Sequence, residues 1–181
     1  MLWSLLSEQI VTSEKQIVEI QLNRNLRSEI KVAVKCHFDL PVVVDVPKNL
    51  DDGTPFPTMF WLTCPMYIKK VSTLESHGMV KELDNQLISN NKLRKLWSKR
   101  QKSYEKERNR KYKSVNNTVS PIGGVGGAVN SIKCLHSHLA DELVTGKNIV
   151  GQIVLENVGG CNCKEPCVVE GTKNGNWRSE W

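Results

Sequence analysis

The hydrophobic periodicity of the chain changes at Cys64, and this change restricts the folds that the chain can adopt. Before Cys64, apolar residues alternate with polar ones or form short β-branched runs, as they do in strands. After Cys64 they recur every three or four residues, as they do on the buried face of a helix. Because the strand patterns come first and the helix patterns follow, we predict an α+β fold. It would have a small, mostly antiparallel N-terminal sheet followed by a helical C-terminal half.

Four segments before this point carry the strand pattern. They are 17–22, an alternating segment formed by Ile30, Val32, Val34 and Cys36, the β-branched run 42–46, and 59–63. The stretches between them are rich in Asn, Asp, Gly and Pro, and such residues are typical of turns.

Five later segments carry the helix pattern. The first is predicted to begin around Pro65, with Thr63 as its N-cap, and to end near Gly78. The second is predicted to end at about residue 90 and the third at about residue 113. The fourth is predicted to cover about 131–144 and the fifth 150–157.

The length of 181 residues suits one domain. We expect 1–14 to be a flexible N-terminal extension, 15–168 to form a single α+β domain, and 169–181 to be a flexible tail. No apolar run approaches the roughly 20 residues that span a bilayer. The first residues also lack the basic start of a signal peptide. The expected location is therefore the cytoplasm, while the oligomeric state stays open.

The positive charge of the chain is concentrated in one segment. The formal net charge is +6, yet residues 92–113 alone contain eleven basic and two acidic residues, so the remainder is slightly acidic. This segment could bind an acidic protein or a nucleic acid. Its aromatic residues, however, belong to its sparse apolar stripe, which we expect to pack on the core. The stripe consists of Leu93, Leu96, Trp97, Tyr104 and Tyr112.

The predicted helix over 131–144 carries residues that could do chemistry. At about 100° per residue, Cys134, His138 and Asp141 share one side of it, opposite an apolar stripe beside which His136 lies. Cys134 and His138 could then direct two ligands at one metal, or pair as thiolate and imidazole in a catalytic site. Asp141 could orient the imidazole. The alternative is a core helix whose polar side contains a cysteine and a histidine by chance.

Six cysteines in a chain expected to be cytoplasmic do not indicate disulfides, because the cytosol keeps thiols reduced. Cysteines from separate elements can instead form one metal site, of the iron–sulfur or zinc type. The candidate ligands are Cys36, Cys64 and Cys134, completed by His138, Cys163 or Cys167. Two alternatives stay open: Cys36 and Cys64 could be ordinary buried thiols, and Cys134 could be an activated nucleophile near a helix start.

A glycine-rich loop precedes this helix. Glycines let a backbone approach a ligand closely, and a helix N-terminus favours anions. The loop is therefore a candidate binding site for an anionic small molecule, with a flexible connector as the alternative. Its candidate residues are Gly123, Gly124, Gly126 and Gly127.

Several motifs occur in an order that is similar to one known family. They are Gln21-Leu-Asn-Arg24, Lys35-Cys36 followed by Leu40-Pro41, Asp52-Gly-Thr-Pro-Phe-Pro-Thr58, Trp61-Leu-Thr-Cys-Pro65, Leu74-Glu75-x-x-Gly78, the glycine-rich loop, Lys133-Cys-Leu-His-Ser-His-Leu-Ala140 and Asn148-x-Val-Gly151. Together they resemble the bacterial family catalogued as domain of unknown function 501, over about residues 17–167.

The resemblance implies a cytoplasmic bacterial protein, often encoded near a septum-formation initiator and an exopolyphosphatase-like gene. It also implies that Cys36, Cys64, Cys134 and His136 are motif positions. The chain departs from the family pattern after Cys36. There it has His37-Phe38-Asp39 in place of a Pro or Cys followed by Gly, and His37 thereby becomes a further possible ligand.

Three functions follow as hypotheses. The first is a Cys/His metal site, holding an iron–sulfur cluster or zinc, beside an anion-binding glycine loop. The second is a metal-free interaction module in the cell-division context, with the basic segment as its docking surface. The third is a thiol enzyme that uses Cys134.

Overall fold

The computed structural model describes residues 12–111 and 121–177. It confirms the predicted α+β class, because a small antiparallel sheet precedes a mostly helical C-terminal half. The elements in chain order are α1 (Glu14–Leu22), β1 (Lys31–Lys35), β2 (Pro41–Asp45), β3 (Phe60–Leu62), α2 (Pro65–Ser76), α3 (Met79–Ser89), α4 (Asn91–Lys111), a 3-10 turn (Val125–Gly127), α5 (Leu135–Thr145), α6 (Ile149–Val158), β4 (Val168–Val169) and β5 (Thr172–Lys173).

Strands β1, β2 and β3 form an antiparallel sheet in that order, with Val32 opposite Val44 and Val43 opposite Leu62. The central strand β2 is buried over Pro41–Val44, whereas β1 alternates between exposed and half-buried residues. This difference explains why β2 appears in the sequence as a continuous β-branched run and β1 as an alternating one. These strand predictions are confirmed.

The strand predicted over 17–22 is wrong, because this segment is helix α1. Ser13 and Gln16 form a reciprocal capping box at its start, and Asn23 ends it in the left-handed conformation. The apolar residues of 17–22 are close enough together to be mistaken for an alternating strand. One of them, Val18, is fully buried and packs with Val44 and Val46.

Two predicted helix starts are shifted. Cys64, and not Thr63, is the N-cap of α2, and α5 begins at Leu135 instead of near residue 131. In both cases the backbone of the preceding cysteine is still extended, so Cys64 and Cys134 lie at helix N-termini. The second shift changes which residues can meet at the site.

Helix α4 packs with the predicted residues Leu93, Trp97 and Tyr104, whereas Leu96 remains 45% exposed. Tyr112 lies outside the described residues. The buried face also contains Arg100 and Arg108, two charged residues that do not belong to the apolar stripe.

Helix α5 contacts the sheet and packs along α6, and α2 packs against both helices, so a shared core lies between the sheet and these helices. Residues 169–177, expected to belong to a flexible tail, include β5 of the β4–β5 hairpin and Trp177, which packs against the core. Within the described residues, no helix combines the length and the apolar character that crossing a membrane requires.

Candidate metal centre

Glu75, Cys134 and His136 bring three potential metal ligands to one point. One carboxylate oxygen, the thiol sulfur and a ring nitrogen all lie within 4.8 Å of one another, and the three residues are half-buried. The Nδ1 atom of His136 is 3.2 Å from Glu75 Oε1 and 3.9 Å from Cys134 Sγ.

The start of α5 explains why these side chains meet. Cys134 is the N-cap residue and has an extended backbone, whereas His136 is already helical, so two residues that are two apart can direct their side chains to one point. Glu75 comes from α2, and its Oε1 accepts the N–H of Leu135 at 2.7 Å. This hydrogen bond satisfies one free amide at the helix start and fixes α2 against α5.

The surroundings of His136 orient its ring. Its Nε2 lies 3.2 Å from the carbonyl oxygen of Ile68 and 3.3 Å from the hydroxyl of Ser72. A carbonyl oxygen can only accept a hydrogen bond, so Nε2 carries a proton and donates a hydrogen bond to the carbonyl oxygen of Ile68. In the neutral imidazole the lone pair is then on Nδ1, the atom that faces Glu75 and Cys134.

The three groups perturb one another's ionisation. Burial opposes charge on His136, but the contacts with Cys134 and Glu75 outweigh it and raise its pKa to about 10. Burial likewise opposes ionisation of Cys134, yet His136 and Ser137 hold its pKa below the ordinary value. The pKa of Glu75 is lowered too, since His136 outweighs the effect of burial. His136 and each of its two neighbours therefore shift one another's pKa toward the charged form.

A cavity of about 520 Å³ opens beside this cluster. Its wall combines aromatic rings with the cationic side chains of Arg24 and Lys69, and the Arg24 guanidinium lies 4.2 Å above the Trp61 ring centroid. Cys134 and His136 form part of the wall. The remaining lining residues are Gln21, Leu22, Phe56, Thr58, Phe60, Leu62, Pro65, Ile68 and Ser137.

Within the described part of the chain, the structure does not bring Cys134 into one ligand group with His138 and Asp141. His138 is fully buried, and its Nδ1 donates to Asn148 Oδ1 at 3.0 Å. Asp141 is also fully buried and pairs with Arg100. The helical-face argument fails because Cys134 precedes the helix, so the 100° step does not apply to it.

The other predicted ligands do not join Cys134. Among the described residues, Glu75, Cys134 and His136 are the one group of three or more Cys, His, Asp or Glu residues whose ligand atoms all lie within 4.8 Å of one another. Cys64 contacts Cys161 instead, and Cys36, Cys163 and Cys167 belong to the same neighbourhood as Cys161.

Glu75 was not identified from the sequence as a ligand. Its one signal there is its place in the Leu74-Glu75-x-x-Gly78 motif, and nothing in the spacing links α2 to the start of α5. His136, in contrast, was noted as a motif position, although the helical projection placed it beside the apolar stripe.

The glycine-rich loop is folded on itself, and the amides of Gly123, Gly124 and Gly127 donate to groups of the protein. The N–H of Gly123 donates to Glu105 Oε1 at 3.0 Å, and that of Gly124 donates to the carbonyl of Ala128. A Cβ at Gly124 would lie 1.9 Å from the side-chain oxygen of Gln101, and one at Gly126 would contact Ser137. The loop therefore allows close packing around α4 and the start of α5.

The fold is thus an α+β domain with a compact Cys/His/Glu group at the edge of a cavity. The chain belongs to the family described as Protein of unknown function (DUF501), whose model matches residues 32–156, more than half of the chain. No curated protein and no solved structure matches it. Glu75, Cys134 and His136 all lie inside the matched residues, whereas Cys161, Cys163 and Cys167 lie outside them.

Proposed function

We propose that Glu75, Cys134 and His136 bind one divalent metal ion of the zinc class, with an open coordination position facing the cavity. Three protein ligands and a free position are typical of catalytic zinc sites, whereas structural sites use four. Such an ion activates a water molecule or polarises a carbonyl or phosphoryl oxygen. The proposed activity is therefore metal-assisted hydrolysis in the cytoplasm.

The observation that carries this proposal is that the thiol and the carboxylate face the same ring nitrogen of His136. In a Cys–His–acid catalytic triad, the nucleophile and the acid use opposite nitrogens of the ring. Here Nδ1 faces both groups, and Nε2 is engaged by Ile68 and Ser72. This is the arrangement of ligands around a shared centre.

The donor set also favours a single ion over an iron–sulfur cluster. Clusters are held chiefly by several cysteine thiolates, and this group supplies one sulfur, one nitrogen and one oxygen. The hydrogen bond from Nε2 to a backbone carbonyl is the usual outer partner of a metal-bound histidine, since it fixes the tautomer and the ring orientation.

The cavity indicates the class of substrate. Its volume of about 520 Å³ suits a small molecule. The aromatic wall favours an apolar portion, and Arg24 and Lys69 favour an anionic group such as a carboxylate or a phosphate. In this proposal the anionic ligand binds at the cavity wall and not in the glycine loop.

A second candidate, a thiol enzyme, is favoured by the position of Cys134 at the N-terminus of α5 and at the wall of the cavity. A helix N-terminus stabilises a thiolate. In that case Cys134 would act as a nucleophile with His136 as its proton partner, and its reactivity would be needed without a metal.

Alkylation of Cys134 tests the metal site directly. We expect added Zn²⁺ to protect Cys134 of the wild-type chain from iodoacetamide by at least about tenfold in rate, because a coordinated thiolate is a poorer nucleophile. Peptide-level mass spectrometry reports Cys134 separately from the other five cysteines. In His136→Asn and Glu75→Gln, half-saturation should need about 10- to 100-fold more Zn²⁺.

His77→Asn is the matched control for His136→Asn, because His77 is exposed at the C-terminal end of α2 and lies outside the cluster. Its protection by Zn²⁺ should equal that of the wild type. If Cys134 reacts equally fast with and without saturating Zn²⁺, the metal site is refuted and the thiol enzyme becomes the better explanation.

A further inference from the structure

The exposed face of α4 carries an unbroken line of positive charge, the basic stripe. Opposite the buried face formed by Leu93, Trp97 and Tyr104, cations recur every three or four residues and share an arc of the helix about 80° wide. At a rise of about 1.5 Å per residue the basic stripe is about 27 Å long, with about 5 Å between successive positions. Its members, all exposed, are Lys92, Lys95, Lys99, Lys102, Lys106 and Arg110.

The acidic residues of α4 do not neutralise the basic stripe. Both lie outside the arc and serve the buried arginines instead: Glu107 pairs with Arg100 at 3.0 Å, and Glu105 lies 4.0 Å from Arg108. Glu105 also accepts the N–H of Gly123. Within residues 12–111 and 121–177, none of the six cations of the basic stripe forms an ion pair.

The helix gains no stability from this arrangement. Like charges three or four residues apart on a helix repel each other, and every neighbouring pair in the basic stripe has that spacing. A surface that only has to be solvated can intersperse charges of both signs. A continuous line of one sign is instead the pattern of a surface that meets an anionic partner, because the partner's charge offsets the repulsion.

Depressions on both sides of the basic stripe extend the positive surface. One, of about 410 Å³, lies along its first half, and its wall adds Arg94 to three lysines of the stripe. The other, of about 510 Å³, has Lys99 and the exposed Lys147, which follows α5, in its wall. Glu142 lies in the same wall, and its carboxylate accepts the N–H of Asn148 at 2.6 Å. The positive surface is therefore wider than one helix face.

We propose that the basic stripe, together with Lys147, docks on the phosphate backbone of double-stranded DNA without reading its sequence. Each strand presents a regular line of negative charges, one per about 3.4 Å of helix axis. The flexible stems of lysines let a straight line of cations follow such a backbone. Contacts of this kind position a protein on DNA but do not select a sequence. The surface is separate from Glu75, Cys134 and His136, and it does not depend on the metal proposed there.

Other anionic partners fit this surface less well. Single strands bind on aromatic platforms, and the rings of Trp97 and Tyr104 are buried. Protein partners are anchored by apolar or aromatic side chains, and the arc contains none, since the exposed Leu96 lies beside it. Duplex RNA is recognised through its 2′-hydroxyls, to which the basic stripe offers donors but no acceptor. A membrane-bound helix turns its apolar face to lipid, whereas that face of α4 packs on the core.

Fluorescence anisotropy of the full chain with a labelled, mixed-sequence DNA duplex tests the proposal. A duplex of about 20 base pairs is more than twice as long as the basic stripe. We expect binding that weakens steeply between about 50 and 200 mM salt. In Lys95→Gln/Lys99→Gln/Lys102→Gln the affinity at about 100 mM salt should fall at least about tenfold. The slope of log affinity against log salt should also become shallower by about 2 to 3, roughly one for each lost phosphate contact.

The triple variant Lys31→Gln/Lys81→Gln/Lys173→Gln is the matched control, because it removes the same charge from exposed lysines of β1, α3 and β5. Its affinity should stay within about threefold of the wild type, since charges beyond a Debye length of about 10 Å are largely screened at this salt. Thermal unfolding should show that the stripe variant is no less stable than the wild type, because the substitution relieves repulsion between like charges.

Two outcomes among the variants would overturn the proposal: an equal loss of affinity in both triple variants, or an unchanged salt slope in the stripe variant. Competition identifies the partner. The proposal is also wrong if single-stranded DNA, duplex RNA or polyglutamate, at equal total charge, displaces the labelled duplex better than unlabelled duplex DNA does. Cys134→Ser should bind the duplex as the wild type does, so a failure of the metal site leaves this result intact.

Discussion

Replacing Asp141 by asparagine is expected to lower the free energy of unfolding by about 3–5 kcal/mol. Asp141 is fully buried, and its two carboxylate oxygens accept from Arg100 Nε at 2.8 Å and Nη2 at 2.6 Å. Arg100 is itself 3% exposed. The substitution keeps the shape of the side chain but removes its charge, so the guanidinium loses its one fully buried counter-ion among the described residues.

The same carboxylate links the ion pair to the packing of α5 against α6. Asp141 Oδ2 also accepts from Asn148 Nδ2 at 2.8 Å. Asn148 is the N-cap of α6, and its Oδ1 accepts from the Gly151 amide and from His138. In either orientation of an amide at position 141, its NH₂ group would face a donor: Arg100 Nη2 in one orientation, and both Arg100 Nε and Asn148 Nδ2 in the other. This mismatch adds to the cost.

Chemical denaturation with circular dichroism measures this effect, and Glu107→Gln is the matched control. Glu107 also binds Arg100, at 3.0 Å, but its side chain is 36% exposed. Because partly solvated ion pairs contribute about 0–1 kcal/mol, the control should cost no more than that. Equal losses for the two variants would show that burial of the Arg100–Asp141 pair does not determine its contribution.

Hydrophobic periodicity along the sequence identifies the strands and helices that pack on the continuous core. The core strands and the helices α2, α3, α4 and α6 could be predicted because their apolar residues face one continuous core. Helix α1 could not, since a capping box and one buried valine, Val18, form too weak a signal within an apolar-rich segment. The predicted α+β class does not depend on this segment.

The candidate site was harder to predict because its geometry depends on where α5 begins. A start at Leu135 instead of near 131 places Cys134 outside the helix, and its partner becomes His136 in place of His138. Glu75 comes from a helix about sixty residues earlier, and no local pattern connects the two segments. Of the tail cysteines, the sequence offers Cys163 and Cys167 only as alternative ligands beside Cys134, and the contact of Cys161 with Cys64 could not be derived from spacing.

Part of the positive charge that the sequence concentrates in the basic segment lies inside the protein and not on its surface. Two of its arginines are internal: Arg100 pairs with Asp141, and Arg108 is fully buried. One face of the helix therefore packs on the core and includes the two buried arginines, whereas the other face carries exposed lysines. A count of charges along the sequence cannot separate these two groups, because an arginine at a helical core position looks like any other.

Replacing Arg108 by methionine is expected to cost about 3 kcal/mol or more, and to loosen the glycine-rich loop. The guanidinium donates from Nη1 to the carbonyls of Pro57 and Gly123, each at 2.9 Å, and from Nη2 to that of Pro121. Methionine fills much of the space but donates no hydrogen bond. Three carbonyl oxygens would then lose a charge-assisted donor in a buried place.

Arg110→Met is the matched control, because it removes the same charge from an exposed position two residues along the same helix. It should change the free energy of unfolding by no more than about 0.5 kcal/mol. Hydrogen exchange adds a local measurement: in Arg108→Met the amides of Gly124 and Val125 should exchange faster even where the global stability is restored with an osmolyte.

Since a side chain at Gly126 would contact Ser137 beside Cys134, this loop supports the start of α5. Zn²⁺ protection of Cys134 should therefore weaken in Arg108→Met and stay unchanged in Arg110→Met. Equal behaviour of the two variants would mean that the loop keeps its shape without Arg108.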